Sequence, residues 1–123
     1  RPFVTHRIIE ENIRYALEYG ACDTAVAATD TIVQSEDGKG ISSVPDRSKM
    51  YQGQTPQTFR VEILKEAYTT AFSPLFTDDA SVVEFRGTPV TLYPGDVNNI
   101  KITHPMDINT AEWILSTDSN EQA

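Results

Sequence analysis

The chain has 123 residues and a formal net charge of −8, from 18 acidic and 10 basic side chains. This length suits one domain with a modest core. The negative charge, without any Lys/Arg-rich run, argues against a nucleic-acid partner, and no apolar run is long enough to suggest a membrane partner. The single cysteine, Cys22, excludes an internal disulfide framework and is compatible with a reducing, cytoplasmic location.

The first part of the chain predicts a helix, a buried strand and an exposed arm. Apolar residues at helical spacing predict a helix over residues 5–19, with Gly20 as its C-terminal stop. A buried strand is predicted over 24–29. Residues 30–45 predict a hairpin around a Gly-containing turn. Because the hairpin has few apolar residues, we interpret it as an exposed arm or as an element that packs on another subunit.

The middle of the chain contains an amide-rich stretch, residues 51–59, which we predict to be a binding loop at the end of a strand. Glycine permits close approach of the backbone to a ligand, and glutamine offers both donors and acceptors. Thr58 and Thr77 are predicted N-caps of the two helices that follow. In chain order, the predicted elements are a strand at 50–54, helices at 59–71 and 77–87, strands at 89–93 and 100–102, a helix at 105–115 and a frayed tail at 116–123.

This alternation of strands and helices predicts an α/β fold. Three cations, Arg1, Arg47 and Lys101, lie beside predicted strand ends or turns, where they could converge on a phosphate. The alternative is that they are independent surface charges. Thr31 could donate to a phosphate oxygen or simply form a turn at the base of the arm. Lys101 could point into a cleft from a short strand or lie exposed at a sheet edge. The histidines and the cysteine are too dispersed to predict a zinc site.

Six motifs occur in order along the chain: Arg1-Pro2-Phe3, Asp30-Thr31-Ile32, Asp46-Arg47-Ser48, residues 54–59, residues 77–81 and residues 99–103. Together they resemble the C-terminal half of the polyol-phosphate cytidylyltransferases, a family that includes the methylerythritol-phosphate and ribitol-5-phosphate enzymes. The resemblance extends to about Leu115. The family's Gly-rich CTP-binding loop belongs to an N-terminal half that this sequence does not contain, so we expect a fragment of a larger single domain.

The resemblance implies a mixed, mainly parallel, Rossmann-like sheet of the nucleotide-diphospho-sugar transferase type, with a protruding β-arm over residues 30–47. It implies a homodimer joined through that arm. It also implies transfer of a cytidylyl group from CTP to a polyol phosphate with the help of Mg²⁺, whose ligands would lie mostly in the absent N-terminal half. In that reaction Arg1 and Lys101 would be catalytic and substrate-binding, and Thr31 and Arg47 would bind the polyol phosphate in the partner's site.

Further expectations follow from the same resemblance. Gln54 and Thr55 would be supporting donors behind the substrate contacts, and the 123 residues alone would lack transferase activity. The beginning of the amide-rich stretch, Tyr51-Gln52-Gly53, favours D-ribitol 5-phosphate as the substrate. Residues 77–84 instead resemble the branch that uses 2-C-methyl-D-erythritol 4-phosphate. A non-catalytic module for dimerisation or sugar-phosphate binding is the alternative of a different class.

Overall fold

The computed structural model describes the backbone of residues 1–122 and the side chains of residues 1–117. Its strands form a mixed three-stranded sheet in the order β2-β1-β3, in which β1 is antiparallel to β2 and parallel to β3. The predicted α/β class and the mixed sheet are confirmed, but parallel pairing does not predominate among the described strands. The elements are α1 (His6–Tyr19), β1 (Ala21–Ala27), a 3₁₀ turn (Arg47–Lys49), β2 (Tyr51–Phe59), α2 (Val61–Ala67), α3 (Asp79–Phe85), β3 (Thr91–Pro94) and α4 (Pro105–Gln122).

Helix α1 forms as its sequence predicts. The Thr5 hydroxyl accepts a hydrogen bond from the Ile8 amide at 3.1 Å, which satisfies one of the free donors of the first turn. Gly20 ends the helix with φ of 94°, and its N–H donates to the Ala16 carbonyl at 2.8 Å. Glycine adopts this left-handed backbone without the steric cost of a Cβ atom.

Strand β1 begins at Ala21, earlier than predicted, because Ala21 and Cys22 pair with Phe59 and Thr58 of β2. The strand separates two small cores. Cys22 packs with the residues beneath α1, whereas Ala21 packs with those beneath α2 and α3. Burial of both faces explains why β1 is mostly small and apolar.

Residues 51–59 do not form the predicted loop, because the whole stretch is strand β2. The ladder with β1 is interrupted between Asp23 and Ala25, where the register shifts. Pro56 lies opposite this interruption, so its missing N–H costs no ladder bond. A bulge therefore allows β2 to continue through Pro56, where the sequence pattern predicts the end of a strand.

Both predicted N-caps are also wrong. Thr58 pairs with Cys22 inside the sheet, and α2 begins later, with Arg60 at its N-cap. In α3 the cap is Asp78, whose carboxylate accepts from the Ser81 amide at 2.8 Å. The Ser81 hydroxyl in turn accepts from the Asp78 amide at 3.2 Å. This reciprocal capping box satisfies two free donors, and so it is favoured over a cap at Thr77.

The C-terminal part departs from prediction in two places. Residues 100–102 form no strand, and the polypeptide runs as a loop from β3 into α4. Helix α4 continues to Gln122, whereas the prediction ended it at residue 115; Ala123 lies outside the described residues. No helix in the described part of the chain combines the length and the apolar character that crossing a membrane requires.

The predicted arm, residues 30–45, is not a regular hairpin. A single isolated bridge joins Gln34 and Ser43, with the Gln34 amide donating to the Ser43 carbonyl at 2.8 Å. The turn lies where it was predicted, and there the Asp37 carboxylate accepts from the amides of Lys39 at 2.8 Å and Gly40 at 3.1 Å. Most of the segment is exposed, so little apolar burial supports a longer ladder.

Candidate functional site

A cleft of about 360 Å³ lies beside the carboxyl end of β1, the first half of β2 and the loop after β3. Because β1 and β3 are parallel, their carboxyl ends meet at one edge of the sheet, which is where open α/β sheets bind ligands. More of the cleft's lining residues are polar than apolar. The polar ones include Arg1, Gln52, Gln54, Asn99, Lys101 and Asp107.

Two larger cavities of about 450 and 440 Å³ are less suited to an anionic ligand. The first, around Tyr51 and Tyr93, is lined only by uncharged residues. The second, around Tyr68 and Phe76, has Asp78 and Asp79 as its charged residues. The cleft near Arg1 and Lys101 is smaller, but it brings two cations together, which the recognition of a phosphate requires. We therefore take it as the candidate site.

Arg1 is held in the cleft by the backbone of the loop after β3. Its Nη1 atom donates to the Asn99 carbonyl at 2.6 Å. Partial burial lowers the pKa of the Arg1 guanidinium, and the charge of Asp23 acts in the opposite direction. Arginine stays protonated throughout the physiological range even when its pKa is lowered, so the cleft keeps a fixed positive charge at this point.

Asn99 anchors the loop to β2 through its side chain. Its Nδ2 atom donates to the Thr55 carbonyl at 2.9 Å and to Gln54 Oε1 at 3.2 Å. Gln54 Nε2 donates to the Asp96 carbonyl at 2.9 Å. Asn99 is fully buried and Gln54 is nearly so. Gln54 thus supports the cleft with its side chain, whereas Thr55 contributes a backbone carbonyl where a donor was predicted.

Lys101 lines the cleft from the loop, so the strand that was expected to orient it is not needed. Asp107, in the first turn of α4, faces the same cleft. Its carboxylate accepts from the amides of Thr103 at 2.9 Å and His104 at 2.8 Å. These hydrogen bonds lower the pKa of Asp107. Its carboxylate is therefore engaged with backbone amides, and Lys101 forms no ion pair among the described side chains.

Thr31 and Arg47 do not join Arg1 and Lys101 in this cleft. Both are exposed on the arm segment, and Arg47 Nη1 donates to the Thr29 carbonyl at 3.2 Å. Of the four predicted substrate contacts, the structure brings two together within one chain. The other two lie outside the cleft, on exposed parts of the same chain.

Asp23 is a titratable residue near this region that the sequence reading missed. Burial, and secondarily the charge of Asp78, raises the pKa of Asp23 from 3.8 to about 6; a hydrogen bond from Gln57 and the charge of Arg1 oppose that shift. The sequence did carry a signal, since Asp23 is the one charged residue in the apolar strand Ala21–Ala27. A charge in such a strand is unusual unless it is paired or functional.

The expected Mg²⁺ finds no matching donor set in these residues. Nowhere in the described part of the chain do three His, Cys, Asp or Glu side chains meet as ligands. Asp107 is the acidic residue of the cleft, and backbone amides occupy one of its oxygens. Magnesium requires octahedral oxygen ligation, which these side chains do not provide by themselves.

The mixed sheet has α1 on one face and α2 and α3 on the other. A cationic cleft lies at the carboxyl ends of its parallel strands. These features define an open-sheet α/β architecture with a cleft suited to an anionic ligand. The family model for IspD, 2-C-methyl-D-erythritol 4-phosphate cytidylyltransferase, matches residues 1–117. The chain belongs to this family, as its six motifs had indicated.

Solved structures agree with this assignment. The 2-C-methyl-D-erythritol 4-phosphate cytidylyltransferase of Thermus thermophilus is 32% identical with a TM-score of 0.76; the match covers 94% of this chain and 58% of that protein. The 4-diphosphocytidyl-2C-methyl-D-erythritol synthase of Anaerococcus prevotii is 30% identical with a TM-score of 0.83, covering 94% and 55%. The Francisella tularensis enzyme is 28% identical with a TM-score of 0.82, covering 92% and 54%.

The chain thus spans slightly more than half the length of these relatives. Two of the three are described as 2-C-methyl-D-erythritol 4-phosphate cytidylyltransferases, as is the matching family model, and the other as a 4-diphosphocytidyl-2C-methyl-D-erythritol synthase. The comparisons therefore favour the alternative substrate over the ribitol 5-phosphate that Tyr51-Gln52-Gly53 had suggested.

Proposed function

We propose that the protein containing this chain transfers a cytidylyl group from CTP to 2-C-methyl-D-erythritol 4-phosphate. A phosphate oxygen of the acceptor attacks the α-phosphorus of CTP, the bond from that phosphorus to the bridging oxygen breaks, and pyrophosphate leaves. The observation that carries the proposal is the family match over residues 1–117. The presence of Arg1 and Lys101 in one cleft supports it.

The two cations have distinct tasks in this reaction. The Arg1 guanidinium can hold two oxygens of the acceptor phosphate at once, whereas the Lys101 ammonium acts as a mobile point charge. The acceptor phosphate and CTP are both polyanions, so their approach is opposed unless cations lie between them. Positioning and charge neutralisation are the main demands of phosphoryl-type transfer, and these side chains meet part of that demand.

The arm would supply the remaining contacts to the acceptor phosphate. Thr31 and Arg47 would reach the acceptor phosphate in the cleft of a second subunit, making the protein a homodimer through residues 30–47. The exposure of this segment, and the position of both residues outside their own chain's cleft, support this arrangement. A polar segment of this kind gains little from packing on its own domain and remains available to a partner.

The substrate is tested by measuring kcat/KM of the full-length protein with CTP and either methylerythritol phosphate or ribitol 5-phosphate. We expect a preference of at least about tenfold for methylerythritol phosphate, which corresponds to about 1.4 kcal/mol in transition-state binding. A preference for ribitol 5-phosphate would contradict the proposed substrate while keeping the reaction. If neither acceptor is used, the cytidylyl-transfer proposal fails and a non-catalytic module is favoured.

The shared site is tested by mixing two impaired variants, Arg47→Ala and Lys101→Ala. If Arg47 serves the partner's cleft, each mixed dimer regains one intact site, and random mixing restores about a quarter of wild-type activity. If both residues serve the same chain's cleft, every site stays defective. Recovery near zero, in a mixture whose subunits are shown to have exchanged, would therefore contradict the arm's proposed role.

A further inference from the structure

We propose that Asn99 is a positioning residue that fixes the distance between Arg1 and Lys101 and thereby sets the affinity of the cleft for a phosphate. The inference rests on the proposed function, because it assigns that phosphate to the acceptor substrate. Asn99 lies two positions before Lys101 in the same loop, and its carbonyl receives the Arg1 guanidinium at 2.6 Å. One residue therefore connects both cations of the cleft.

The loop is fixed because Asn99 cannot move independently of β2. Its Nδ2 atom bonds to the Thr55 carbonyl at 2.9 Å and to Gln54 Oε1 at 3.2 Å. In the other direction, Gln54 Nε2 donates to the Asp96 carbonyl of the loop at 2.9 Å. The loop is consequently tied to the strand at two points, before and at Asn99. A displacement of either point would move the Arg1 acceptor relative to Lys101.

Close packing around Gln54 leaves this arrangement little freedom. A Cβ atom on Gly95 would come within 2.5 Å of Gln54 Oε1 and 3.0 Å of Thr24 Cγ2. The first distance is shorter than real Cβ contacts and the second is tighter than most, so a side chain here would displace Gln54 or the loop. Gly95 thus offers a second way to disturb the same tie without altering Asn99.

Packing alone does not explain a fully buried amide at this position. Asn99 is 0% exposed, and its Oδ1 atom has no hydrogen-bond partner among the described residues. Burying an unpaired polar atom costs free energy that an apolar side chain would avoid. The two hydrogen bonds that Nδ2 donates offset that cost. They also hold the loop in one place, which stabilises the geometry of the cleft as well as the fold.

The first test compares Asn99→Asp with Asn98→Asp in the full-length protein. The carboxylate introduced by Asn99→Asp cannot donate to Thr55 or Gln54 and would lie against two oxygen acceptors, so the loop should move. We expect KM for the polyol phosphate to rise about tenfold or more, with KM for CTP changing less than about twofold. Asn98 is exposed, so the same substitution there controls for the added charge and should leave both constants unchanged. Equal effects of the two variants would overturn the proposal.

The second test separates positioning from general stability. In an Arg1→Ala background the moved loop can displace only Lys101, and no distance between two cations remains to be disturbed. Asn99→Asp should therefore raise KM for the polyol phosphate by less than about threefold, well below its effect in the wild-type background. A purely structural residue would have the same effect in both backgrounds, and that result would contradict the inference. If Asn99→Asp does not fold, Gly95→Ala replaces it in the same comparison.

Binding of inorganic phosphate, measured by calorimetry, keeps the inference testable without turnover. We expect its Kd to rise about tenfold in Asn99→Asp and to stay unchanged in Asn98→Asp. Unchanged affinity in Asn99→Asp would overturn the inference whatever the enzyme's substrate is. If the wild-type protein binds phosphate but uses neither polyol phosphate, the proposed function fails, and this measurement still decides the positioning inference. If the wild-type protein binds no phosphate, the inference is overturned.

Discussion

The side-chain amide of Asn12 donates to the Thr24 hydroxyl at 2.9 Å, and both side chains are fully buried. The Thr24 hydroxyl then donates to the Pro56 carbonyl at 2.8 Å, and the Thr58 hydroxyl donates to Asn12 Oδ1 at 3.3 Å. This network lies where the β1–β2 ladder is interrupted. Side chains therefore bridge the strands where the backbone ladder does not.

Asn12→Ala should lower the free energy of unfolding by about 2–3 kcal/mol, because it removes a buried donor and acceptor and leaves Thr58 without its partner. Urea unfolding of the chain measures the change. Asn109→Ala is the matched control, since Asn109 is an exposed asparagine in α4, and its effect should stay within about 0.5 kcal/mol. Similar losses in the two variants would show that the network contributes little.

Gly20→Ala should destabilise the chain by about 1–3 kcal/mol, through backbone strain and a steric clash. Gly20 has φ of 94°, and a Cβ atom would lie 2.7 Å from Ile63 Cδ1. Gly40→Ala is the control, since its φ is not positive and a Cβ there would meet nothing within 4 Å. Thermal unfolding compares the two. A Gly20→Ala variant as stable as Gly40→Ala would contradict the assigned strain.

How much of the fold could be predicted from the sequence depends on whether the interactions that determine each element are local. Helix α1, its Thr5 cap and its Gly20 stop follow from local spacing and were predicted. The strand through Pro56 was not, because a bulge opposite Thr24 makes that proline harmless, and pairing partners far apart in sequence decide it. The cap at Asp78 was missed because Thr77, Asp78 and Asp79 are all acceptable caps.

In the candidate site, too, residues marked by a local pattern were predicted and those that depend on long-range contacts were not. Arg1 and Lys101 were predicted and do line one cleft. Asn99 was not singled out, since its importance comes from contacts with Gln54 and Thr55 on a strand some 45 residues earlier in the chain. No local pattern marks such a buried tie. Asp23 was recognisable in principle, as a lone charge in an apolar strand, but no partner for it could be inferred without the fold.

Asp23 should make stability depend on pH in the weakly acidic range. Its pKa is raised in the folded state from 3.8 to about 6, so between these values the folded state binds more protons than the unfolded state. Stability therefore falls as pH rises from about 4 to about 6, and the cost is fully present above that range. Since the side chain is only partly buried, solvent screening reduces this cost to about 1 kcal/mol.

Asp23→Asn should accordingly be about 1 kcal/mol more stable than wild type at pH 7 and close to wild type at pH 4. Urea unfolding at several pH values measures this difference. Asp30→Asn, an exposed residue on the arm, controls for the loss of one negative charge and should leave the pH profile unchanged. A gain for Asp23→Asn that is equal at both pH values would show that titration of Asp23 is not its cause.

Lys101→Ala in the full-length protein should raise KM for the polyol phosphate and lower kcat together. The ammonium binds the phosphate in the ground state and also neutralises charge as the two polyanions react. A loss of about 10–100-fold in kcat/KM, or about 1.4–2.8 kcal/mol, is expected for one such contact. Lys65→Ala is the control, because Lys65 is an exposed lysine on α2, outside the cleft. If both variants retain wild-type kinetics, Lys101 is a surface charge and the cleft must bind its phosphate without it.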